Sequence, residues 1–300
     1  MTARRILVLA NLQAGTAEDE AVEAACAELR RGAAVTVRRT ADAAELDEVL
    51  GARSGELVVV AGGDGSVHTV VSALHRAGTL APDQPLGLLP LGTGNDLARA
   101  LGVPLDPPAA ARAVLSGVPR SLDLLVDDSG GIVVNAVHVG IGAEAARAAQ
   151  GLKGTLGPAA YSVGSAVAGL RPHGWRLAVE VDGAVLADGG EPLLMVGIGN
   201  GTSIGGGAQL TPDAAPDDGY VDVVVSSSTG LLARLGYALD LREGDHVDRE
   251  DVRVTRGRRI RVHGEDFCTN ADGEIDGPFP SRTWTVTPRA WSLVVPSPAP

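Results

Sequence analysis

Apolar and polar positions change rhythm along this chain. Through the first third, short apolar runs alternate with segments of helical period. Residues 6–10, 34–38, 57–61 and 85–89 read as strands, and residues 17–31, 43–52, 66–77, 97–100 and 109–115 as helices. Strands that alternate with helices pair in parallel through right-handed crossovers, so this part is predicted to be a doubly wound α/β sheet. Its ligands are expected beyond the carboxyl ends of the strands.

After Ser121 strand rhythm dominates. Residues 132–139, 176–181, 193–198, 220–225, 252–255, 258–262 and 283–287 read as strands, with a hairpin turn at 181–184. Helices are predicted at 155–170 and 231–242, the second capping one end of the sheet. The pattern predicts a first domain over 1–122 and a second, mostly antiparallel β-sandwich domain over 123–288. A last apolar run at 291–295 fits either domain, so a strand over 289–297 could return to the first. The Pro-rich tail at 296–300 reads as frayed.

The length of 300 residues agrees with two domains at about 150 residues each. With aromatics at 3 % and hydrophobic residues at 45 %, the core must be built of Ala, Val, Leu and Ile. A formal charge of −12 excludes a general nucleic-acid binder, which needs a basic surface. It also restricts contact with anionic lipid to a local patch. Arg249, Arg253, Arg256, Arg258, Arg259 and Arg261 form the densest basic run, either as such a patch or as a solvated hairpin face. Only Cys26 and Cys268 occur, without C-x-x-C spacing, and no secretory pattern opens the chain, so a reduced, cytoplasmic setting is expected. The apolar runs are far shorter than the roughly 20 residues that span a bilayer.

The strongest chemical signal is Val-Val-Val-Ala-Gly-Gly-Asp-Gly-Ser at 58–66. A buried strand running into a glycine turn and a helix aims backbone N–H groups and a helix N-terminus at one point, an anion site. Gly62, Gly63 and Gly65 allow positive φ and close approach of phosphate to backbone. Asp64 is the oddity. A carboxylate about 4 Å from a phosphate oxygen costs on the order of 4 kcal/mol at an effective dielectric of 20, so a cation belongs between them. Mg²⁺ takes one or two carboxylates and completes its shell with water and phosphate. The loop therefore points to a Mg-nucleotide and phosphoryl transfer. A Walker loop is excluded because the single lysine, Lys153, precedes Gly154; a G-x-G-x-x-G fingerprint is excluded by the run G-G-D-G-S-V.

A second strand, glycine turn and helix follow in Leu-Pro-Leu-Gly-Thr-Gly-Asn-Asp-Leu-Ala at 89–98. Thr93 and Asn95 can donate to phosphate, and Gly92 and Gly94 keep the backbone close. Asp96 is either a further carboxylate of the site or a helix N-cap.

The pairing of G-G-D-G-S with P-L-G-T-G-N-D resembles the diacylglycerol kinase catalytic-domain family, which includes bacterial diacylglycerol and related lipid kinases and the sphingosine kinases. The resemblance runs nearly end to end and implies an ATP- and Mg²⁺-dependent kinase acting on a lipid hydroxyl, with nucleotide in the cleft between domains and a lipid-substrate role for the β-rich domain. It implies nucleotide contacts at Asn11, in a turn that departs from the family at Leu12 and Ala14, at Thr40, and from Gly62 through Val67 and His68. At Thr69 a glutamate common in the family is missing. Asp123 resembles an aspartate that joins those matching Asp64 and Asp96 in an acidic network. The stretch 135–142 resembles a family strand, and reads equally as a plain buried strand. Asp218, with the carbonyls of Ala215 and Tyr220, matches a structural Mg²⁺ site, although a type I turn explains the same residues. Asn-Ala-Asp-Gly-Glu at 270–274 resembles the family's D-G-E, which makes Glu274 the general base; by itself Glu274 is a turn residue. The implied partners are a lipid substrate and a transient membrane contact, with a homodimer through sheet edges left open. The alternatives are an NAD kinase, which lacks G-T-G-N-D and has an Asn-Glu pair absent here, and a non-catalytic nucleotide or lipid sensor.

Overall fold

The computed structural model describes residues 4–12, 16–140, 143 and 174–297. The helix expected at 155–170 and most of the turn after Asn11 lie outside the described residues. The chain divides into two compact units, residues 1–123 with 288–300, and residues 124–287.

In the first unit β1 (Arg5–Asn11), β2 (Ala34–Thr40), β3 (Leu57–Gly62) and β4 (Gly87–Pro90) form a parallel sheet in the order β2-β1-β3-β4. The central strands are buried along their length, as a parallel sheet flanked by helices requires. The helices are α1 (Thr16–Leu29), α2 (Ala43–Gly51), α3 (Asp64–Arg76), α4 (Asp96–Ala100) and α5 (Pro107–Ser116). Asp42 caps α2 and Asp106 caps α5 through their carboxylates. The last apolar run joins this unit: Leu86 N–H donates to Ser292 O at 2.9 Å and Val294 N–H to Leu86 O at 2.8 Å. Burial of Trp291 and Leu293 at 1 % exposure gives the apolar reason.

The second unit is antiparallel. Its strands are the last part of β5 (Val118–Asp127), β6 (Ile132–Val133), β7 (Ala136–Gly140), β8 (Leu177–Val181), β9 (Ala184–Asp188), β10 (Met195–Gly199), β11 (Val221–Ser226), β12 (Val252–Gly257), β13 (Arg259–Ala271) and most of β14 (Glu274–Val295). One sheet runs β12-β11-β10-β7-β13-β14-β5-β6 and branches at β13. Residues 260–264 of β13 pair with β8, while 269–271 pair with β7. That change of partner lets a single sheet fold over a core of Val137, Val179, Val196, Val223, Ile260, Phe267 and Trp284. A helix α6 (Leu231–Glu243) lays Tyr237 and Leu241 on a second cluster with Met195, Leu210 and Val224.

Two expectations change. The strand predicted over 132–139 is broken at Val134 and Asn135, where the backbone turns onto a side chain described below. The runs at 283–287 and 291–295 belong to the single long strand β14. The turn at 181–184 is as predicted, with Asp182 and Gly183 both at positive φ.

Candidate active site

The two glycine turns leave neighbouring strands at the same level. Gly62 and Pro90 are register partners, and Leu91 N–H donates to Gly62 O at 3.1 Å. The turns then touch backbone to backbone: a Cβ on Gly63 would sit 2.9 Å from Gly92 Cα, and one on Gly92 2.5 Å from Gly63 Cα. Asp64 joins them. Its carboxylate accepts from Asp96 N–H and Leu97 N–H, each at 3.0 Å, and so satisfies the first turn of α4 from the other loop. Hydrogen bonds to a charged acceptor contribute about 1.5–3 kcal/mol each, enough to hold the pair of turns as one body.

This arrangement corrects four readings. None of Gly62, Gly63, Gly65, Gly92 or Gly94 has positive φ; the left-handed residue is Asn95, at φ 55°. Gly63 and Gly92 are small because the loops meet there, and Gly62 because a Cβ would strike Ser66 Oγ. Asn95 closes the loop on itself, its Nδ2 donating to Gly92 O at 2.6 Å and its Oδ1 accepting from Gly92 N–H at 3.0 Å, so only its second amide hydrogen is left for phosphate. Helix α3 begins at Asp64 rather than Ser66, so Val67 N–H is spent on Gly63 O and its side chain lies in the core. Asp96, buried at 4 % exposure, is the first residue of α4 and not its cap. Gly65 differs from its neighbours. Nothing lies within 4 Å of where its Cβ would be, and it is exposed, like Thr93.

Beside the first loop, at the carboxyl ends of β1, β2 and β3, a pocket of about 170 Å³ is lined by Asn11, Thr40, Ser66 and Thr69 over a floor of Leu46, Val60, Ala61 and Val70. Three residues singled out from distant stretches of sequence are thus brought to one cavity. Thr69 donates back to Gly65 O at 2.8 Å within α3. His68 lies half-buried on the same helix. A larger groove of about 1240 Å³ opens at the amino ends of β1 and β3, lined by Arg4, Arg5, Arg53 and Glu56, and carries none of the motif residues. The smaller pocket fits the strand-end rule and is the better candidate.

Asp123 is fully buried on β5. Its Oδ1 accepts from Arg289 N–H at 2.7 Å, and its carbonyl accepts from Trp291 Nε1–H at 3.2 Å, which ties the returning end of β14 to the first unit.

In the second unit the turn between β13 and β14 carries Asp272 and Gly273 at positive φ, and Asn270 Oδ1 accepts from Gly273 N–H at 2.9 Å. Glu274 is exposed and pairs with Ala271. The unforeseen residue is Asp272. Its carboxylate accepts from Val134 N–H at 2.6 Å, Asn135 N–H at 2.9 Å and Ala136 N–H at 3.0 Å, which both breaks the strand there and fixes the hairpin tip. Its place two residues before Glu274 was the available signal. His138, buried on β7 with Nδ1 unpartnered, is held neutral, its pKa pushed down to about 4 by burial.

Asp218 does not stand open to a metal. Its carboxylate caps Tyr220 N–H at 2.9 Å and is ion-paired with Arg256, so with Ala215 and Tyr220 it forms a turn clamped by a guanidinium. Arg256 and Arg258 both stack on the Tyr220 ring. Among the described residues no group of three or more His, Cys, Asp or Glu side chains is placed to hold a metal. In the basic run Arg249 pairs with Asp240 and Asp251, and Arg261 with Glu180, so much of its charge is locally offset. No helix among the described residues is long and apolar enough to cross a membrane.

Comparison with known proteins gives a consistent result. Residues 5–126 match the diacylglycerol kinase catalytic domain, and residues 135–295 match the YegS C-terminal NAD kinase beta sandwich-like domain. A Pseudomonas aeruginosa protein named "Probable lipid kinase YegS-like" is 35% identical over 98% of this chain and 95% of its own. The diacylglycerol kinase of Mycobacterium tuberculosis is 31% identical over 80% of this chain and 77% of its own. A solved diacylglycerol kinase structure from Bacillus anthracis superposes with a TM-score of 0.70 over 98% of this chain and 97% of that one, and at 21% identity it speaks to the fold alone. The chain belongs to the diacylglycerol kinase family and is a kinase.

Proposed function

We propose that this kinase transfers the γ-phosphoryl group of ATP to the hydroxyl of a membrane lipid such as diacylglycerol. The observation that carries the reading is the joined pair of glycine turns beside the pocket of Asn11, Thr40 and Ser66. Together they offer the N–H groups of Asp64 and Gly65 that open α3, an open backbone approach at Gly65 and an exposed Thr93 hydroxyl to a polyphosphate. Asp64 and Asp96 suit a Mg²⁺ that arrives with the nucleotide. Each Asp64 oxygen accepts one N–H and keeps a further lone pair, and Mg²⁺ needs only one or two protein carboxylates. When bound, the ion would offset charge on the phosphates. The residues at Asp218 do not fit a second ion, because Arg256 already supplies the positive charge there.

Glu274 is the proton acceptor in this reading. An alcohol attacking phosphorus must lose its proton, and a solvent-facing carboxylate on a turn fixed by Asp272 can take it while ADP leaves. The test is ATP consumption against a panel of dispersed lipid alcohols by wild type and Glu274→Gln. Lipid-dependent turnover lost in the variant supports the reading; wild-type turnover in the variant, or no lipid-dependent turnover at all, refutes it.

A further inference from the structure

The second unit carries an apolar face that its core does not use. On α6, Leu231, Leu232, Leu235 and Leu239 are 73%, 84%, 57% and 67% exposed, whereas Tyr237 and Leu241 pack inward. At 3.6 residues per turn the four leucines fall within an arc of about 100°, with Tyr237 and Leu241 on the opposite side. Arg242 falls inside the leucine arc in the last turn and is exposed; Glu243 lies at its margin. Asp240 points away and is paired with Arg249.

We propose that the leucine face of α6 docks on an anionic lipid bilayer, with the helix lying in the plane of the interface and Arg242 reaching lipid phosphate. The choice of a bilayer rests on the proposed lipid acceptor and on charge. In an antiparallel self-contact, Arg242 would be buried against the leucines and the positive N-terminal end of its twin, with no acid to meet it. In a parallel one, Arg242 would face Arg242. A bilayer interface lets leucines enter the acyl boundary while a long cationic side chain extends to phosphate. The basic run at 249–261, partly neutralised by Asp218, Asp240, Asp251 and Glu180, is less suited to the task.

The test is flotation with vesicles of equimolar phosphatidylcholine and phosphatidylglycerol. The full chain is compared with Leu232→Gln/Leu235→Gln/Leu239→Gln and with Arg242→Gln, each checked for melting temperature and for mass in solution. We expect the triple variant to lose roughly tenfold or more in vesicle affinity while keeping its fold and its turnover on a monomeric short-chain diacylglycerol. Arg242→Gln should lose about fivefold on these vesicles and nothing on pure phosphatidylcholine. Unchanged flotation of the triple variant overturns the proposal, as does a wild type that fails to float. A wild-type dimer that the triple variant dissociates also overturns it, by assigning the face to a second copy. Flotation that depends on these leucines in a protein without lipid-kinase activity would sustain the docking surface and refute the proposed function.

Discussion

Gly65 and Gly92 look alike in sequence, and the structure predicts that alanine at each does something different. At Gly92 the new Cβ would sit 2.5 Å from Gly63 Cα, where carbon atoms normally rest at about 3.5–4.0 Å. Both partners are backbone, so the loops must part by about 1 Å, which stretches the 3.0 Å bonds from Asp96 and Leu97 to Asp64 beyond useful length. Overpacking costs about 1–3 kcal/mol, and a weakened charge-assisted bond adds roughly 1.5–3 kcal/mol. A loss near 3 kcal/mol lowers the melting temperature by roughly 6–12 °C. At Gly65 the Cβ meets nothing and φ is ordinary, so Gly65→Ala within α3 should hold or raise stability by up to about 1 kcal/mol. If ATP phosphate approaches the backbone there, that variant should nevertheless lose at least about tenfold in ATP affinity. Thermal melts and ATP titrations on the two variants decide the matter. Wild-type ATP affinity in Gly65→Ala, or an unchanged melting temperature in Gly92→Ala, would refute the account of these loops.

Other consequences separate stability from chemistry. Asp272→Ala removes the acceptor of three N–H groups and should cost roughly 3 kcal/mol in denaturant unfolding, whereas Glu274→Gln on an exposed turn should stay within about 0.5 kcal/mol while abolishing turnover. A stable Asp272→Ala would show that the hairpin tip is not held as described. His138 has its folded pKa depressed by burial to about 4 against the ordinary imidazole value of 6.5, so between those values the unfolded chain binds more protons. Stability should therefore be full above pH 6.5 and fall by about 3 kcal/mol as pH drops toward 4, a loss that His138→Gln should remove from the pH profile of unfolding. Asp64→Ala should reduce both melting temperature and ATP binding, because in the proposed function one carboxylate serves loop and ligand; loss of binding alone would show that its bonds to α4 contribute little.

What the chain's pattern alone decided was local. Apolar runs alternating with helical periods specify the strands and helices of the first unit, because burial of one stripe or both faces needs only neighbours in sequence. The glycine turns after β3 and β4, and Asp-Gly at 182–183, were readable for the same reason: each turn's geometry is dictated by a few adjacent residues. Tertiary structure decided what those residues meet. That Gly63 is small for Gly92, that Asp64 caps a helix more than thirty positions away and that Asp272 breaks the strand at Val134 are contacts between segments far apart in the chain. So is the return of Leu293 to Leu86, which settled a run that fits either unit by pattern. Hydrophobic rhythm reports whether a side chain is buried but not against which partner. Polar roles depend on which donors the fold delivers to an acceptor, and that is set only when the chain has closed.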